Sequence, residues 1–383
     1  MRVLFTTLGW SSHYFPLVPL GWAARAAGHE VRVLTQPALM EQVLGSGLPG
    51  VVAGPDVDLR AMVGKDVKVG PGTLSTMTTW RDSRELRARQ AVNWFTAITE
   101  SMAADALAFA RDWRPDLVVY EPAVYVGPLI AQTLGIPAVR HLWGTDYTYP
   151  HRELEYELLS PLWQRHGLGP VLPFEVLTVD PCPASMQIPA VPHRQPMRYV
   201  PYNGPAVLPD WLRRPAERTR VCLTFGTTLA KLTGSVVGAP EVIEAVRDLD
   251  VEFVVALAAG QRDGISTAPP NVRLVESLPL RLLLPSCAAI VHKGGSGTTL
   301  TAAAAGVPQL VLPTIADQFL NAERLAGTGA GEYLEQDVAT PERIRAGLLA
   351  LIDSAPHRTA ADELRQEIER QPSPAEVVGL LPG

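Results

Sequence analysis

The stretch HKGGSGTT, residues 292–299, holds the residue types best suited to binding an anion. It follows an apolar run at 287–291 and precedes the alanine-rich run LTAAAAG at 300–306. The first run predicts a buried strand and the second a helix, so the residues between them form a strand-to-helix turn. The N-terminus of that helix offers unpaired N–H donors and the positive end of the helix dipole. We therefore predict a phosphate site at this turn.

Each residue type in the turn has a role in such a site. Glycine lets the backbone N–H groups approach a ligand closely, while the lysine adds a full charge and the hydroxyl side chains add donors. The predicted donor-binding residues of the turn are Lys293, Gly294, Gly295, Ser296, Gly297 and Thr298. The alternative is a tight turn that uses glycine only for its backbone freedom. The spacing matches neither the P-loop nor the dinucleotide fingerprint, so ATP and nicotinamide chemistry lose support.

Two further polar pairs follow predicted strands. Gly226 and Thr227 come at the end of the strand in RVCLTFGTT, where they can present donors to a phosphate. Asp317 and Gln318 follow VPQLVLP, and a carboxylate beside an amide suits sugar hydroxyls. Asp317 alone could instead cap the next helix, although a cap does not require Gln318.

Alternating strands and helices position these residues. Predicted strands at 2–7, 30–36, 115–121, 136–143, 220–228 and 251–258 alternate with predicted helices at 16–29, 127–135 and 239–249. This order indicates βαβ units, and hence two α/β doubly wound domains whose ligands bind at the carboxyl ends of the strands. The proline-rich segment 181–215 lacks a helical period and is typical of a domain linker. We place the N-terminal domain at 1–205, a linker at 206–218, the C-terminal domain at 219–357 and a closing helix and tail at 358–383.

The aromatic residues are unevenly divided between the two halves. All eight tryptophans, and eight of the nine tyrosines, lie within residues 1–211. A difference in core composition would explain this, but so would a first domain that binds a large apolar partner. Residues 60–112 then form an adjustable wall of that pocket.

Composition excludes several other classes of function. The chain has 383 residues, a formal net charge of −6 and no basic block, which argues against a nucleic-acid partner. Its three cysteines are scattered, which argues against a disulfide framework and suits a reducing cytoplasm. The first apolar run ends at Thr6, too soon for a signal peptide, and no stretch is long enough to span a membrane. We therefore expect a soluble, cytoplasmic protein.

These elements, in this order, resemble the family 1 glycosyltransferases of GT-B fold. The closest likeness is to bacterial natural-product transferases that attach nucleotide-activated deoxysugars to polyketide or enediyne aglycones. The resemblance covers nearly the whole chain, through residues 11–33, 114–122, 139–146, 197–212, 292–313 and 316–331. It implies two facing Rossmann-like domains, an N-terminal one for the acceptor and a C-terminal one for a donor expected to be a dTDP-sugar. The sequence is also compatible with a homodimer or an auxiliary protein partner.

The resemblance also implies the catalytic residues. It places the general base at His13, and an imidazole can accept the proton of an attacking hydroxyl at neutral pH. It places the residue that orients this base at Glu121, where many relatives have Asp. The residues expected at the acceptor are Trp10, Ser12, Tyr14, Trp80, Trp94 and Trp143.

The chain departs from the family pattern at two donor positions. Relatives usually have histidine where Lys293 stands, and lysine keeps a donor while adding a permanent charge. Relatives often have a tryptophan that stacks on the nucleotide base where this chain has Ser277. Recognition of the base then depends on Leu278, Pro279 or the backbone.

No cofactor or metal is expected. The acidic triplets at 56–58 and 248–250 match a metal motif of another glycosyltransferase fold, but both sit at predicted turns. In the GT-B arrangement the turn at 293–298 can neutralise the departing diphosphate without Mg²⁺. The sequence thus predicts an inverting transferase whose acceptor oxygen, or an aromatic carbon, attacks the anomeric centre. The rivals are a sugar-nucleotide epimerase of the same fold and a non-catalytic auxiliary partner.

Overall fold

The computed structural model describes residues 1–57, 84–174, 176–189, 191–226, 239–262, 265, 268–315 and 317–382. Within these residues the strands form two sheets in which every pair is parallel. The strands are β1 (Arg2–Thr6), β2 (Glu30–Thr35), β3 (Gly50–Val52), β4 (Leu117–Tyr120), β5 (Ala138–His141), β6 (Thr178–Asp180), β7 (Arg194–Pro196), β8 (Arg220–Thr224), β9 (Glu252–Leu257), β10 (Val272–Glu276), β11 (Ala289–His292), β12 (Gln309–Val311) and β13 (Gly331–Tyr333).

The helices connect successive strands and cover both faces of each sheet. They are α1 (Ser11–Tyr14), α2 (Val18–Ala26), α3 (Met40–Gly45), α4 (Arg84–Trp113), α5 (Val126–Leu134), α6 (Arg152–Arg165), α7 (Ala239–Val246), α8 (Leu280–Leu283), α9 (Ser296–Ala304), α10 (Gln318–Gly327), α11 (Pro341–Asp353), α12 (Ala355–Arg370) and α13 (Pro374–Val378). The predicted α/β fold with two doubly wound domains is confirmed.

The six strands of the C-terminal sheet follow the same order as the first six of the N-terminal sheet, which has β7 as an additional edge strand. The N-terminal sheet runs β3-β2-β1-β4-β5-β6-β7 and the C-terminal sheet runs β10-β9-β8-β11-β12-β13. In each sheet the order reverses beside the first strand, so a crevice opens at the carboxyl ends of β1 and β4 and another at those of β8 and β11. Ligands of doubly wound sheets bind in such crevices.

Alternation along the strands explains why helices lie on both faces. In β1, Leu4 belongs to the core cluster that includes residues of α4 and α5. Its neighbours Val3 and Phe5 belong to the cluster on the opposite face, with residues of α2. Successive side chains of a strand point to opposite faces, so each strand contributes to two cores.

The C-terminal segment packs first on the C-terminal domain and then on the N-terminal domain. On α12, Leu364 and Ile368 pack in a cluster with Leu300 of α9 and Leu325 of α10, both in the C-terminal domain. The chain then crosses back, and the following α13 buries Val378 in the core of the N-terminal domain. The end of the chain thereby ties the two domains together.

The segment 181–215 is more ordered than a plain linker. It contains β7, which pairs with β6 as an edge strand of the N-terminal sheet. Its Cys182, Met186 and Tyr199 are buried in the same cluster as α9 and α10 of the C-terminal domain. The three-residue strand is too short, and too rich in flanking proline, to show a strand pattern in the sequence.

Within the described parts of the chain, no helix combines the length and the apolar character needed to cross a membrane.

Candidate active site

His13 and Glu121 meet at the N-terminal crevice. His13 lies on α1, which follows β1, and Glu121 follows the last residue of β4. Their side chains join through His13 Nδ1 and Glu121 Oε2 at 3.1 Å. Glu121 is fully buried, whereas the side chain of His13 is 12% exposed. The carboxylate of Glu121 is therefore within hydrogen-bonding distance of the histidine ring, although its side chain is longer than that of aspartate.

The contacts of Glu121 fix the form of the histidine ring. Glu121 Oε1 accepts the Leu8 N–H at 3.3 Å, and Oε2 accepts the Ala123 N–H at 2.7 Å. An ionised carboxylate can only accept hydrogen bonds, so with Glu121 in that form Nδ1 of His13 carries the shared proton. Nε2 then keeps its lone pair, which is the arrangement a general base needs.

Two tryptophans enclose this histidine. The Trp143 ring lies 4.3 Å from the His13 ring at an interplanar angle of 52°, and the Trp10 ring lies 5.5 Å away at 66°. Both indoles are half-buried against the N-terminal core. His13 therefore lies beside an aromatic surface that suits an apolar ligand.

The other predicted acceptor residues occupy different surroundings. Ser12 is exposed beside His13, and Trp94 is half-buried on α4. The prediction for Tyr14 is wrong, because its side chain is fully buried in the core and its hydroxyl bonds Ser46 Oγ at 2.5 Å. Trp80 lies outside the described residues.

His292, the last residue of β11, shapes the turn at the C-terminal crevice. Its Nδ1 accepts the Gly294 N–H at 3.0 Å, so its Nε2 carries the proton and donates to Gln309 Oε1 at 2.9 Å. Gln309 Nε2 in turn donates to the Thr299 carbonyl at 3.2 Å. Burial lowers the pKa of His292 to about 4, which keeps it neutral. The turn is therefore held at both ends by one buried network.

Gly294 cannot be replaced without strain. Its φ is +85°, a left-handed value that favours glycine. A Cβ there would lie 2.8 Å from Val311 Cγ1 and 3.0 Å from the Gln318 carbonyl oxygen. The tight turn thus brings the residues after it close to β12 and α10.

Lys293 is a buried cation. Only 6% of the residue is exposed, and burial lowers the pKa of its ammonium to about 8, an effect that Glu241 partly offsets. Among the described residues no carboxylate forms an ion pair with Lys293. Because a buried charge is costly unless it is paired, this site favours an anionic ligand.

The start of α9 lies directly after this lysine. Gly295 precedes the helix without a side-chain cap, and no described acceptor bonds the N–H groups of Gly295, Ser296 or Gly297. A Cβ on Gly295 or Gly297 would meet no atom of the described residues within 4 Å, so these residues leave room for ligand atoms. Thr298 is half-buried in the first turn of the helix. These features together suit the binding of an anion.

The remaining predicted donor residues lie around the same crevice. Gly226 follows β8 with a φ of +72°, and its carbonyl accepts Gln261 Nε2 at 2.9 Å. Leu278 follows β10 and packs half-buried against a neighbouring core cluster. Thr227 lies outside the described residues.

Asp317 and Gln318 stand at the start of α10. Asp317 Oδ2 accepts Ser296 Oγ at 2.7 Å and Asn321 Nδ2 at 3.1 Å, which holds one edge of the carboxylate. Gln318 Oε1 accepts the N–H groups of Thr314 and Ile315 at 2.8 and 3.1 Å. The amide oxygen of Gln318 thus holds the loop, which leaves its amino group as the part that can donate to a ligand.

The two crevices face each other across one cleft. Gly144 follows β5 of the N-terminal sheet, and a Cβ there would lie 2.6 Å from Ser296 Cβ at the start of α9. Burial raises the pKa of Asp317, while the hydrogen bond from the Ser296 hydroxyl and an electrostatic interaction with His13 act in the opposite direction. His13 and Asp317 are therefore near enough to interact across the cleft.

Three contributors to the site were absent from the predicted set. His292 and Gln309 hold the turn, and Asn321 Nδ2 donates to the Gly294 carbonyl at 2.9 Å and to Ser296 Oγ at 3.0 Å. Asn321 lies four residues after Asp317, a spacing that places both on one helix face and could have identified it.

No cluster of three or more metal-binding side chains occurs among the described residues. In the acidic triplets, Asp56 Oδ1 accepts the Ala38 N–H at 2.7 Å, and Asp250 pairs with Arg218 at 3.6 Å. These described members of the triplets have structural partners.

Comparison with known proteins gives consistent relatives. Residues 22–226 match the family model for the N-terminal domain of erythromycin biosynthesis protein CIII-like proteins, and residues 240–382 match the model for the C-terminal domain. The chain is 38% identical to 3-alpha-mycarosylerythronolide B desosaminyl transferase of Saccharopolyspora erythraea, over 99% of this chain and 97% of that protein. It is 37% identical to aclacinomycin-T 2-deoxy-L-fucose transferase of Streptomyces galilaeus, over 100% of this chain and 95% of that protein.

A solved structure agrees over the same extent. The glycosyltransferase VinC, crystallised in complex with dTDP, is 36% identical with a TM-score of 0.82, over 99% of this chain and 98% of that one. Both domains and the cleft between them are thus shared with a GT-B enzyme. The chain belongs to the erythromycin biosynthesis protein CIII-like family of bacterial natural-product glycosyltransferases.

Proposed function

We propose that this enzyme transfers a deoxysugar from a dTDP-linked donor to a hydrophobic polyketide aglycone in antibiotic biosynthesis, with inversion at the anomeric carbon. The donor class is suggested by the dTDP complex of VinC and by the deoxysugar named for the Streptomyces galilaeus relative. The family itself is named after erythromycin biosynthesis.

His13 acts as the general base. Its Nε2 takes the proton of the acceptor hydroxyl while the hydroxyl oxygen forms a bond to the anomeric carbon. The bond from that carbon to the diphosphate oxygen breaks on the opposite face, and dTDP leaves with the electron pair. Glu121 keeps the ring oriented and stabilises the imidazolium that forms.

The turn at 293–298 stabilises the leaving group. Negative charge grows on the diphosphate as the bond breaks, and the N–H groups at 295–297 and the buried Lys293 ammonium are the donors that stabilise it. Donors held in place before the reaction lose no energy to reorganisation, so they lower the barrier without a metal ion.

The remaining groups bind the two substrates. Asp317 and the amino group of Gln318 hydrogen-bond the sugar hydroxyls, beside the diphosphate and within electrostatic reach of His13. Trp10 and Trp143 form the apolar surface on which the aglycone lies beside the base.

The three unpaired cysteines agree with the cytoplasmic location predicted from the sequence.

The single observation that supports this function most strongly is the pairing of two unlike sites across one cleft. A histidine–carboxylate dyad stands on one side, and a buried lysine that forms no ion pair with a described carboxylate stands on the other. A base facing an anion site is what a displacement of a diphosphate by a hydroxyl requires.

Release of dTDP tests the proposal. The enzyme is incubated with a panel of dTDP-linked 6-deoxysugars, each with and without polyketide aglycones, and both dTDP and the glycoside are quantified. We expect dTDP to appear in step with a glycoside of inverted anomeric configuration. Sugar-nucleotide isomerisation without an acceptor would contradict the proposal, as would a glycoside of retained configuration.

A further inference from the structure

The loop 143–146, which follows β5, contacts both the acceptor half and the donor half of the proposed site. On one side, the Trp143 ring lies 4.3 Å from the ring of His13. On the other side, Gly144 lies against Ser296, whose Oγ donates to Asp317 at 2.7 Å. The same short loop therefore touches the base and the residue that holds the proposed sugar-binding carboxylate.

Gln187 holds this loop from behind. Its Oε1 accepts the Asp146 N–H at 2.9 Å, and its Nε2 donates to the Gly144 carbonyl at 3.3 Å and to Asp180 Oδ2 at 2.9 Å. Gln187 is 2% exposed and Asp180 is fully buried. The side chain thus joins the loop to β6, and its position fixes where Gly144 lies.

Arg324 holds Gln187 from the other domain. It stands in the last turn of α10, and its guanidinium donates to the carbonyls of Met186 at 2.9 Å, Gln187 at 2.5 Å and Ser185 at 3.3 Å. A planar guanidinium with several donors is suited to gathering neighbouring carbonyl groups.

Asp317 is the N-cap of the same helix, so these contacts close a ring. From Arg324 the ring passes through Gln187, Gly144, Ser296 and Asp317, and α10 connects Asp317 back to Arg324. Three of these five links lie within one domain or along one helix, whereas the contacts of Arg324 with Gln187 and of Gly144 with Ser296 cross between the domains.

We propose that Arg324 is a positioning residue that aligns the donor half of the site with the base by holding Gln187 and the loop 143–146. This inference rests on the proposed function, because alignment matters only if a sugar on Asp317 must meet a hydroxyl at His13. Reactions between two bound substrates are sensitive to small displacements, so loosening the ring lowers turnover more than it lowers the affinity for either substrate.

The close contact between Gly144 and Ser296 in this ring requires that residue 144 has no Cβ. Ser296 is 6% exposed and bonded to both Asp317 and Asn321, so it has no free direction in which to move. An alanine at 144 would press on it, and the domains would have to separate or the bond to Asp317 would have to break.

Arg324→Met tests the role directly, with Arg324→Lys as the conservative variant. Arg345→Met is the matched control, because Arg345 also donates to two backbone carbonyls, those of Ala245 and Arg247, but within the C-terminal domain. Three quantities are measured in full-length protein: dTDP affinity by calorimetry, acceptor-dependent turnover, and the distance distribution between spin labels on the two domains. Glu41 and Arg343 are exposed positions for the labels, after Cys287→Ser removes the half-buried native thiol.

We expect Arg324→Met to broaden the interdomain distance distribution and to lower turnover by about tenfold or more, with little change in dTDP affinity. Arg324→Lys should restore part of the turnover, and Arg345→Met should change none of the three quantities. An unaltered distance distribution, or a loss of dTDP affinity equal to the loss of turnover, would overturn the inference. If the unsubstituted enzyme shows no acceptor-dependent release of dTDP while Arg324→Met still broadens the distribution, the proposed function fails but the alignment by Arg324 stands.

Discussion

The two crevices occupy equivalent places in their sheets but differ in how their polar groups are satisfied. At the carboxyl ends of β1 and β4, His13 bonds Glu121, and Glu121 also accepts two backbone N–H groups. At the carboxyl ends of β8 and β11, Lys293 forms no ion pair with a described carboxylate, and the N–H groups at 295–297 have no described acceptor. In the N-terminal crevice the polar groups bond one another, whereas in the C-terminal crevice the described donors outnumber the described acceptors.

This difference fits the roles that we propose for the two sides. A general base has to present one nitrogen in one orientation before the substrate arrives, so its partner belongs to the protein. An anion site must keep its donors unpaired, because the ligand brings the opposite charge. The same fold therefore holds a self-contained side, in which His13 and Glu121 bond each other, and an unsaturated side, in which Lys293 and the N–H groups at 295–297 have no described hydrogen-bond acceptor.

Removing the base tests the self-contained side and has the largest expected effect. His13→Ala should lower turnover by about 10²- to 10⁴-fold, the usual contribution of a general base, while the affinity for dTDP stays the same. Single-turnover kinetics and calorimetry measure the two quantities. His357→Ala is the matched control, since His357 also pairs with a carboxylate, Glu332 at 3.4 Å, outside the cleft.

Turnover of His13→Ala equal to that of the unsubstituted enzyme would remove the dyad from the mechanism. A similar loss of turnover in His357→Ala would show that the loss in His13→Ala reflects reduced stability of the protein rather than removal of a general base.

The unsaturated side should carry a cost in stability. Burial lowers the pKa of Lys293 from its ordinary 10.5 to about 8, so below pH 8 the folded state holds a charge that the unfolded state solvates better. Lys293→Met should therefore raise the free energy of unfolding at pH 7 by up to about 3 kcal/mol. The gain should shrink as the pH rises from 8 toward 10.5, where the unsubstituted protein loses the charge. Denaturant unfolding without nucleotide, at several pH values, checks this.

A destabilised Lys293→Met at pH 7 would mean that counter-charges in the free protein, such as Glu241, outweigh the cost of burying the ammonium. The contrast between the two crevices would then be lost.

The same substitution should weaken nucleotide binding by a smaller factor. A hydrogen bond to a charged group contributes about 1.5–3 kcal/mol, so the dTDP dissociation constant of Lys293→Met should rise by about 10- to 100-fold. Calorimetry with dTDP measures this, with thymidine as the control ligand because it lacks the diphosphate. An equal loss for thymidine would show that Lys293 shapes the pocket rather than binding the anion.

Much of the fold could be predicted from local patterns. The alternation of apolar strands with helices ending at glycine, such as Gly135 with its φ of +66°, is a property of short segments. The turn at 292–299 was equally readable, because glycine, lysine and hydroxyl residues between a strand and a helix have few other uses. Motif resemblance supplied His13 and Glu121, which are 108 residues apart.

The rest depends on contacts that no local pattern encodes. Tyr14 stands next to the base in sequence, yet helix α1 turns its side chain into the core toward Ser46. Arg324 meets the carbonyl of Gln187 across 137 residues of chain, and Gly144 meets Ser296 only because two domains close on each other. Ser296 was predicted as a ligand donor, but its hydroxyl already bonds Asp317.

A crystal structure of the enzyme with dTDP tests the central claim most directly. The diphosphate oxygens should lie within hydrogen-bonding distance of the Lys293 ammonium and of the N–H groups at 295–297, facing His13 across the cleft. A diphosphate bound elsewhere, with these donors still unpaired, would contradict the account.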